Sequence, residues 1–356
     1  MNENIDRSWE KRPFNKNDQE KIAELYKNVH SRPFELHEWK WQFQGAFAEE
    51  GYIWVADHQG TLAGQYATVP IRMQIANQNI KGALSLDTMT HSDFRKQGIF
   101  VTLAKEVYNQ LGSKDVKLVY GFPNENSFRG FIKHLDFVVL ENLPALTRPL
   151  NISEILRSKI RNGVVARLVG TPVQTVFDVL FKRKIGSRDI KIEQKPEFPK
   201  EVDQLFRELS PEFPNLVIRD YSYLKWRYDQ NPQHNYDNFF GYRSGKLAGF
   251  CVCSRTERKG ITIGLIVDLF ASPSDEELIA SLVKTAIQRF SKQKMMLVSC
   301  MLTKESPFKK ILNKLGFIFP IKRFPFIIRR NTDDLDINNL ITPRNWHITY
   351  GDGDFV

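Results

Sequence analysis

The chain has 356 residues, of which 42% are apolar and 26% charged, with a formal net charge of +10. That length allows about two domains with real cores, and the composition excludes a wholly disordered chain. Cys251, Cys253 and Cys300 are the only cysteines, an odd number placed in apolar runs, so buried reduced thiols are expected rather than a disulfide framework.

The first seven residues, Met1 to Arg7, are polar and lack the apolar stretch of a signal peptide. No segment reads as the roughly 18 uninterrupted apolar residues of a membrane span, and a cytoplasmic protein is expected. A helix carrying Trp39 and Trp41 comes first. An apolar strand from Tyr52 to Ala56 follows, then the turn His58-Gln59-Gly60, where glycine supplies a positive φ, and a second strand that closes a hairpin. Next come a strand ending in Leu84-Ser85-Leu86-Asp87, a long helix beginning near Ile99, a strand from Val116 to Tyr120, and a short helix ending in Leu135-Asp136-Phe137.

The same order recurs in the second half. Trp39-Lys40-Trp41-Gln42-Phe43 and Gly60-Thr61-Leu62-Ala63-Gly64 align without a gap on Leu224-Lys225-Trp226-Arg227-Tyr228 and Gly245-Lys246-Leu247-Ala248-Gly249. Further on, Ile266-Val267-Asp268 matches the strand ending in Asp87, and Leu315-Gly316-Phe317 matches Leu135-Asp136-Phe137. The expected fold class is mixed α/β. It comprises two units, each a mostly antiparallel sheet flanked by helices. The expected divisions are 1–146 and 193–330, with a segment 147–192 between them and a tail 331–356.

One segment stands out for ligand chemistry. His91-Ser92-Asp93-Phe94 leads into Arg95-Lys96-Gln97-Gly98-Ile99-Phe100, which joins a strand to a helix. Such a junction offers unpaired backbone N–H groups and the positive end of the helix dipole, and both suit a pyrophosphate. Arg95 and Lys96 add charge, and Gly98 lets the backbone approach. The corresponding stretch of the second half is Ser274-Asp275-Glu276-Glu277-Leu278-Ile279, where carboxylates replace the basic residues and the glycine is gone. The second unit is therefore expected to keep the fold and to lack the anion site.

This loop resembles the coenzyme A loop of the GNAT N-acetyltransferase superfamily, and the order of elements in each repeat is similar to the GNAT fold. One departure is Phe100, which stands where that family usually has Gly or Ala. Its side chain must either crowd the phosphates or turn into the core between helix and sheet. The resemblance implies an N-acetyltransferase in a tandem arrangement. Acetyl-CoA or another acyl-CoA is the implied co-substrate, with no metal, and the acceptor is a small-molecule or glycan amine. It implies that Arg95, Lys96, Gln97, Gly98, Ile99 and Phe100 hold the pyrophosphate. It also implies that the backbone of Met89 and Thr90 meets the thioester and pantetheine, and that Asn124 and Asn126 contact the pantetheine or substrate. Asp87 falls where many GNAT enzymes place a base, although the matching Asp268 leaves a shared structural role equally open. The tyrosine that serves as acid in the family is replaced here by Ile132, which leaves Tyr120 or Tyr66 as substitutes. Asn124 and Asn126 also read as plain helix caps. His91 reads as a solvated loop residue, and the tryptophans as core.

The excess charge is concentrated. Arg148, Arg157, Lys159, Arg161, Arg167, Lys182, Arg183, Lys184 and Arg188 are opposed in that stretch only by Glu154 and Asp178. A local cluster of this kind argues against a general nucleic-acid surface. Interleaved with apolar residues at near-helical spacing, it reads either as a helix pair packing the halves together or as a surface for anionic membrane across 148–188. In the tail, Asp352 and Asp354 either bind a cationic amine or fray. Two other functions remain from the same pattern: an aminoacyl-tRNA-dependent peptidyl transferase of the tandem-GNAT type, and a non-catalytic acyl-CoA-binding module.

Overall fold

The structure, a computed structural model, describes residues 8–30, 33–45, 51–158, 163–181 and 189–355. Within the basic stretch, Lys159, Arg161, Lys182, Arg183, Lys184 and Arg188 lie outside the described residues. The chain divides into two compact units. The first comprises Met1–Gln74, Gln78–Glu141 and Pro325–Leu340; the second comprises Ile75–Asn77, Asn142–Phe324 and Ile341–Val356.

The first unit is built from β1 (Glu10–Pro13), α1 (Gln19–Val29), α2 (Leu36–Gln44), β2 (Tyr52–His58), β3 (Thr61–Ile75), β4 (Gln78–Thr90), α3 (Ile99–Ser113), β5 (Val116–Gly121) and α4 (Glu125–His134). The two residues between β2 and β3, Gln59 and Gly60, both have positive φ, at 50° and 91°. That is the primed turn whose twist matches the strands it joins. β4 and β5 run parallel, joined by the crossover helix α3, as the wide connection of a parallel pair requires. β1 carries no apolar alternation and escapes a sequence reading. It is held at the sheet edge by Arg12, whose guanidinium donates to Asp18 and to Asp57, 2.6 Å each.

α3 supplies much of the core. Its buried face carries Ile99, Leu103, Val107 and Leu111 at helical spacing, together with Ala104 and Tyr108. Each large apolar side chain fully buried this way contributes about 1.5–3 kcal/mol. α4 ends through Asp136 at φ 56°, in the left-handed region, the position that Gly316 fills at φ 86° in the second unit.

The second unit begins with the later part of β6 (Val138–Pro149). It continues through α5 (Ile152–Arg157), α6 (Gly163–Leu180), β7 (Ile190–Lys195), α7 (Val202–Leu209), β8 (Asn215–Val217), α8 (Tyr221–Leu224), β9 (Asp237–Arg243), β10 (Lys246–Arg258), β11 (Ile261–Ala271), α9 (Glu276–Lys292), β12 (Leu297–Met301) and α10 (Lys309–Lys314). Along the chain β13 (Phe319–Arg330) follows, whose end belongs with α11 (Ile337–Leu340) to the first unit, and back in the second unit β14 (Trp346–His347) pairs with β8. Ser244 and Gly245 join β9 to β10 with positive φ, 50° and 82°, as Gln59 and Gly60 do in the first unit. β11 and β12 are again parallel across a helix, α9. From the hairpin onward the two units share one element order, and the fold class is the mixed α/β arrangement expected.

Strand membership departs from a simple division of the chain. In the first unit β5 is bordered by the end of β13, with Ile327 to Arg330 antiparallel to Gly121 to Leu118. In the second, β12 is bordered by the end of β6, with Pro149 to Ala145 antiparallel to Leu297 to Met301. Residues 331–356 do not form a separate tail: they divide between the units, and Trp346, Tyr350 and Asp352 are buried. The three cysteines are buried and free, and Cys251 Sγ lies 3.8 Å from Cys253 Sγ on one face of β10.

Candidate functional site

β4 and β5 pair from Lys81 to Ser85 and from Val116 to Gly121, and the ladder stops there. β4 runs five residues further, through Leu86, Asp87, Thr88 and Met89 to Thr90. β5 ends at Gly121, so the backbone of that extension has no β5 partner and leaves a step, or notch, at the carboxyl ends of the two strands. In parallel α/β sheets ligands collect at such openings. Asp87 sits at the mouth with φ 47°, a left-handed conformation within the strand. Gln65 Nε2 donates to its carbonyl at 3.0 Å, and Gln42 Nε2 reaches its carboxylate at 3.5 Å.

Beyond Thr90 the chain makes a short turn of 3-10 helix over Ser92–Phe94, capped by His91, and then enters α3. Arg95, Lys96, Gln97 and Gly98 are all exposed. Lys96 and Gly98 both take positive φ, 65° and 76°. Gly98 is the N-cap of α3; no side chain caps the helix, and its first turn holds no acid. A Cβ on Gly98 would find nothing within 4 Å, so the space before the helix is open. The first N–H groups of α3 face that space without intrahelical partners. These features fit an anionic group of pyrophosphate size.

Phe100 turns inward. Its ring lies 5.8 Å from that of Tyr66 and 5.1 Å, edge-on, from that of Phe131. Only its backbone remains at the helix start.

The other expected residues fall in different environments. Met89 is buried, and Thr90 is partly exposed. Asn124 caps α4, accepting from the N–H of Asn126 at 2.9 Å and of Ser127 at 3.1 Å; Asn126 is exposed in the first turn. Tyr120 is fully buried, with the rings of Phe122 and Phe326 each 6.1 Å away. Tyr66 is also fully buried. Its hydroxyl meets Ser85 Oγ at 2.7 Å and the Tyr108 hydroxyl at 2.6 Å, and burial pushes its pKa up to about 12. His91 accepts from the N–H of Asp93 at 3.3 Å, a local turn contact. Trp39 and Trp226 are core residues. Gln42 and Gln65 escaped the sequence reading because an isolated glutamine carries no spacing signal; the one clue is that Gln42 aligns on Arg227 in the repeat.

The second unit provides an internal contrast. α9 begins at Asp275, whose carboxylate accepts from the N–H of Leu278 at 3.0 Å and is gripped by Arg243 at 2.7 and 2.9 Å. Glu276 and Glu277 fill its first turn. The helix start is occupied by the chain's own carboxylates. Asp268, the counterpart of Asp87, is buried and accepts from Arg219 Nε at 3.1 Å, the Tyr228 hydroxyl at 3.0 Å and the Thr349 hydroxyl at 3.2 Å. Arg219 also donates to Asp352 at 2.8 Å. Burial opposes its charge, but Asp268 and Asp352 outweigh that and hold it firmly protonated. Asp87 and Asp268 share a strand position and differ in surroundings: one is half-exposed beside amides, the other locked to an arginine.

No curated protein sequence matches the chain. Among solved structures, a GCN5-related N-acetyltransferase from Anabaena variabilis superposes with a TM-score of 0.64 at 10% identity, covering 94% of this chain and 75% of that one. An N-acyltransferase candidate from Enterococcus faecalis gives 0.64 at 12% identity, with 91% and 72% covered. Saccharomyces cerevisiae N-myristoyltransferase with bound myristoyl-CoA gives 0.58 at 12% identity, with 90% and 78% covered. At such identities the likeness establishes the fold alone. Residues 10–132 match the family described as acetyltransferase (GNAT) domain, and the chain shares the fold of these structures.

Proposed function

We propose that the first unit is an acyl-CoA-dependent N-acyltransferase acting on a primary amine, with an amino sugar or amino acid as the acceptor class. The observation that carries this reading is the open, uncapped start of α3 behind Arg95-Lys96-Gln97-Gly98, beside the notch where β4 outruns β5. Coenzyme A supplies the activated thioester. The N–H groups of Ile99 and Phe100 and the charges of Arg95 and Lys96 hold its pyrophosphate. The backbone of Met89 and Thr90 lies along the unpaired edge of β4 and orients the pantetheine and the thioester carbonyl. Asp87, at the mouth of the notch, takes the amine proton through water. The acceptor nitrogen bonds to the carbonyl carbon, the carbon–sulfur bond breaks, and the departing thiolate takes a proton from solvent. Tyr120 has no exposed surface and supports the strand in this scheme. Asn124 and Asn126 border the notch from α4.

The second unit, whose equivalent helix is capped by Asp275, serves as a degenerate partner that keeps the fold without the co-substrate site. The same contrast speaks against an aminoacyl-tRNA-dependent transferase, which has no use for a pyrophosphate loop. A protein that only binds acyl-CoA remains distinguishable by turnover.

The test combines binding with turnover. Acetyl-CoA and longer acyl-CoAs at saturating concentration should raise the melting temperature of the wild type and not of Gly98→Glu, through mass action on the folded state. Thiol release with a panel of amino sugars and amino acids should depend on the acceptor. No stabilisation by any acyl-CoA sinks the proposal; stabilisation without amine-dependent thiol release reduces it to a binding module.

A further inference from the structure

α6 is an 18-residue helix with a mean hydropathy of 1.2, and only 11% of it is buried. Ala166, Gly170 and Phe177 form its buried stripe. Gln174 fastens that side to α5 by accepting from the N–H of Ile152 at 3.1 Å, and Arg148 pairs with Asp178. The rest of the apolar surface faces outward: Leu168 is 71% exposed, Val176 59%, Val179 66% and Leu180 73%. Soluble proteins rarely leave so long an apolar surface uncovered.

The arrangement around the helix axis is what gives this surface a direction. At about 100° per residue, Leu168, Val179, Val176, Val169, Leu180 and Val173 sweep one continuous arc of roughly 140°. Arg167, Gln174 and Asp178 sit diametrically opposite. The buried stripe lies to one side, between the two. A helix of this kind can rest lengthwise with its apolar arc down and its polar side up while still fastened to its own unit. Crossing a bilayer would require stripping Gln174 and Asp178 from those partners and burying Arg167 in hydrocarbon. In sequence, the helix is bracketed by Lys159 and Arg161 before it and by Lys182, Arg183 and Lys184 after it. Basic residues next in sequence to an apolar helix suit a surface that is apolar beneath and anionic at the headgroups.

We infer that α6 docks this protein, in the plane of the interface, on a membrane surface containing anionic lipid. The inference stands on α6 and does not depend on the acyl-CoA reading.

Flotation of the full chain with vesicles tests it. Vesicles of phosphatidylcholine alone should carry little protein, and vesicles with an equal share of phosphatidylglycerol should carry most of it, with release at high salt or in alkaline carbonate. Leu168→Glu combined with Val176→Glu changes two exposed positions, so the melting temperature should hold while flotation drops about tenfold or more, since two aliphatic side chains of the lipid-facing arc become charged. The idea is overturned if the wild type fails to float with anionic vesicles at low salt, or if the double variant floats equally well. It is likewise overturned if the bound protein resists carbonate, which indicates a spanning helix. Light scattering that reports a dimer lost in the double variant, with no flotation of the wild type, assigns the face to a second copy of the chain instead.

Discussion

The ring of Phe100 meets the ring of Phe131 edge to face with centroids 5.1 Å apart, and that contact draws the one bulky side chain of the α3 start away from the open space before the helix. The backbone there keeps its N–H groups available even though the residue is neither glycine nor alanine. Phe100→Ala should therefore act on stability more than on co-substrate binding. Its ring is only partly buried, so a loss of about 2–3 kcal/mol is expected, below the usual range for a core phenylalanine. Urea denaturation and acyl-CoA titration together check this, and a large loss of affinity at unchanged stability would contradict it.

Arg95 and Lys96 are exposed, so their effect on a bound pyrophosphate should be electrostatic and screened. Arg95→Ala with Lys96→Ala should weaken acyl-CoA binding several-fold at low ionic strength and by less in high salt. Isothermal titration at two salt concentrations reads the difference. Equal losses at both would point to lost shape rather than lost charge.

Under the proposed mechanism Asp87 takes a proton and Asp268 is structural, and substitutions separate the two roles. Asp87→Asn should lower kcat by about 100-fold or more, leave the KM for acyl-CoA within twofold, and remove the acidic limb of the pH–rate profile. A fall in melting temperature with kcat retained would mean that Asp87 only supports the strand. Arg219→Met should do the reverse. It strands the Asp268 and Asp352 carboxylates in the interior and should cost about 3–5 kcal/mol of stability with little change in acyl-CoA affinity of what remains folded.

His347 predicts an acid-side loss of stability. Burial, with Arg219 nearby, holds its imidazole well below the ordinary value of 6.5, and the rings of Phe213 and Phe308 flank it at 4.8 and 5.5 Å. The unfolded chain takes up this proton as pH falls through about 6.5 and the folded chain does not, so unfolding gains a proton and stability declines in that window. Asp229 tilts the other way: burial pushes its carboxyl up to about 6, so the folded state binds the extra proton. The comparison must be made between variants. The urea midpoint of His347→Leu should fall less between neutral pH and about pH 5.5 than that of the wild type.

What the sequence disclosed depended on whether a signal was local. The turn at Gly60, the recurrence at Gly245 and the helix start at Gly98 were readable because adjacent residues carry them. The apolar face of α3 was readable because its period is. β1 was not, since Glu10 to Pro13 alternates nothing and stays in place through Arg12. The group around Arg219 was invisible, because Asp268, Tyr228, Thr349 and Asp352 come from segments far apart in the chain. Gln42 and Gln65 beside Asp87 were hidden for the same reason. The apolar spacing of α6 was visible, but which of its faces a neighbour would cover was not. Nothing in the residues of β6 and β13 says which sheet edge each one joins.

That last feature bears on how the protein is made. β5 receives its neighbour only when Ile327 to Arg330 arrive, long after residues 10–132 have left the ribosome. Until then the edge of β5 stands bare, a template for pairing with any other nascent chain. The amino-terminal half cannot finish folding by itself during synthesis, and cutting the gene between the halves would yield two incomplete sheets rather than two domains.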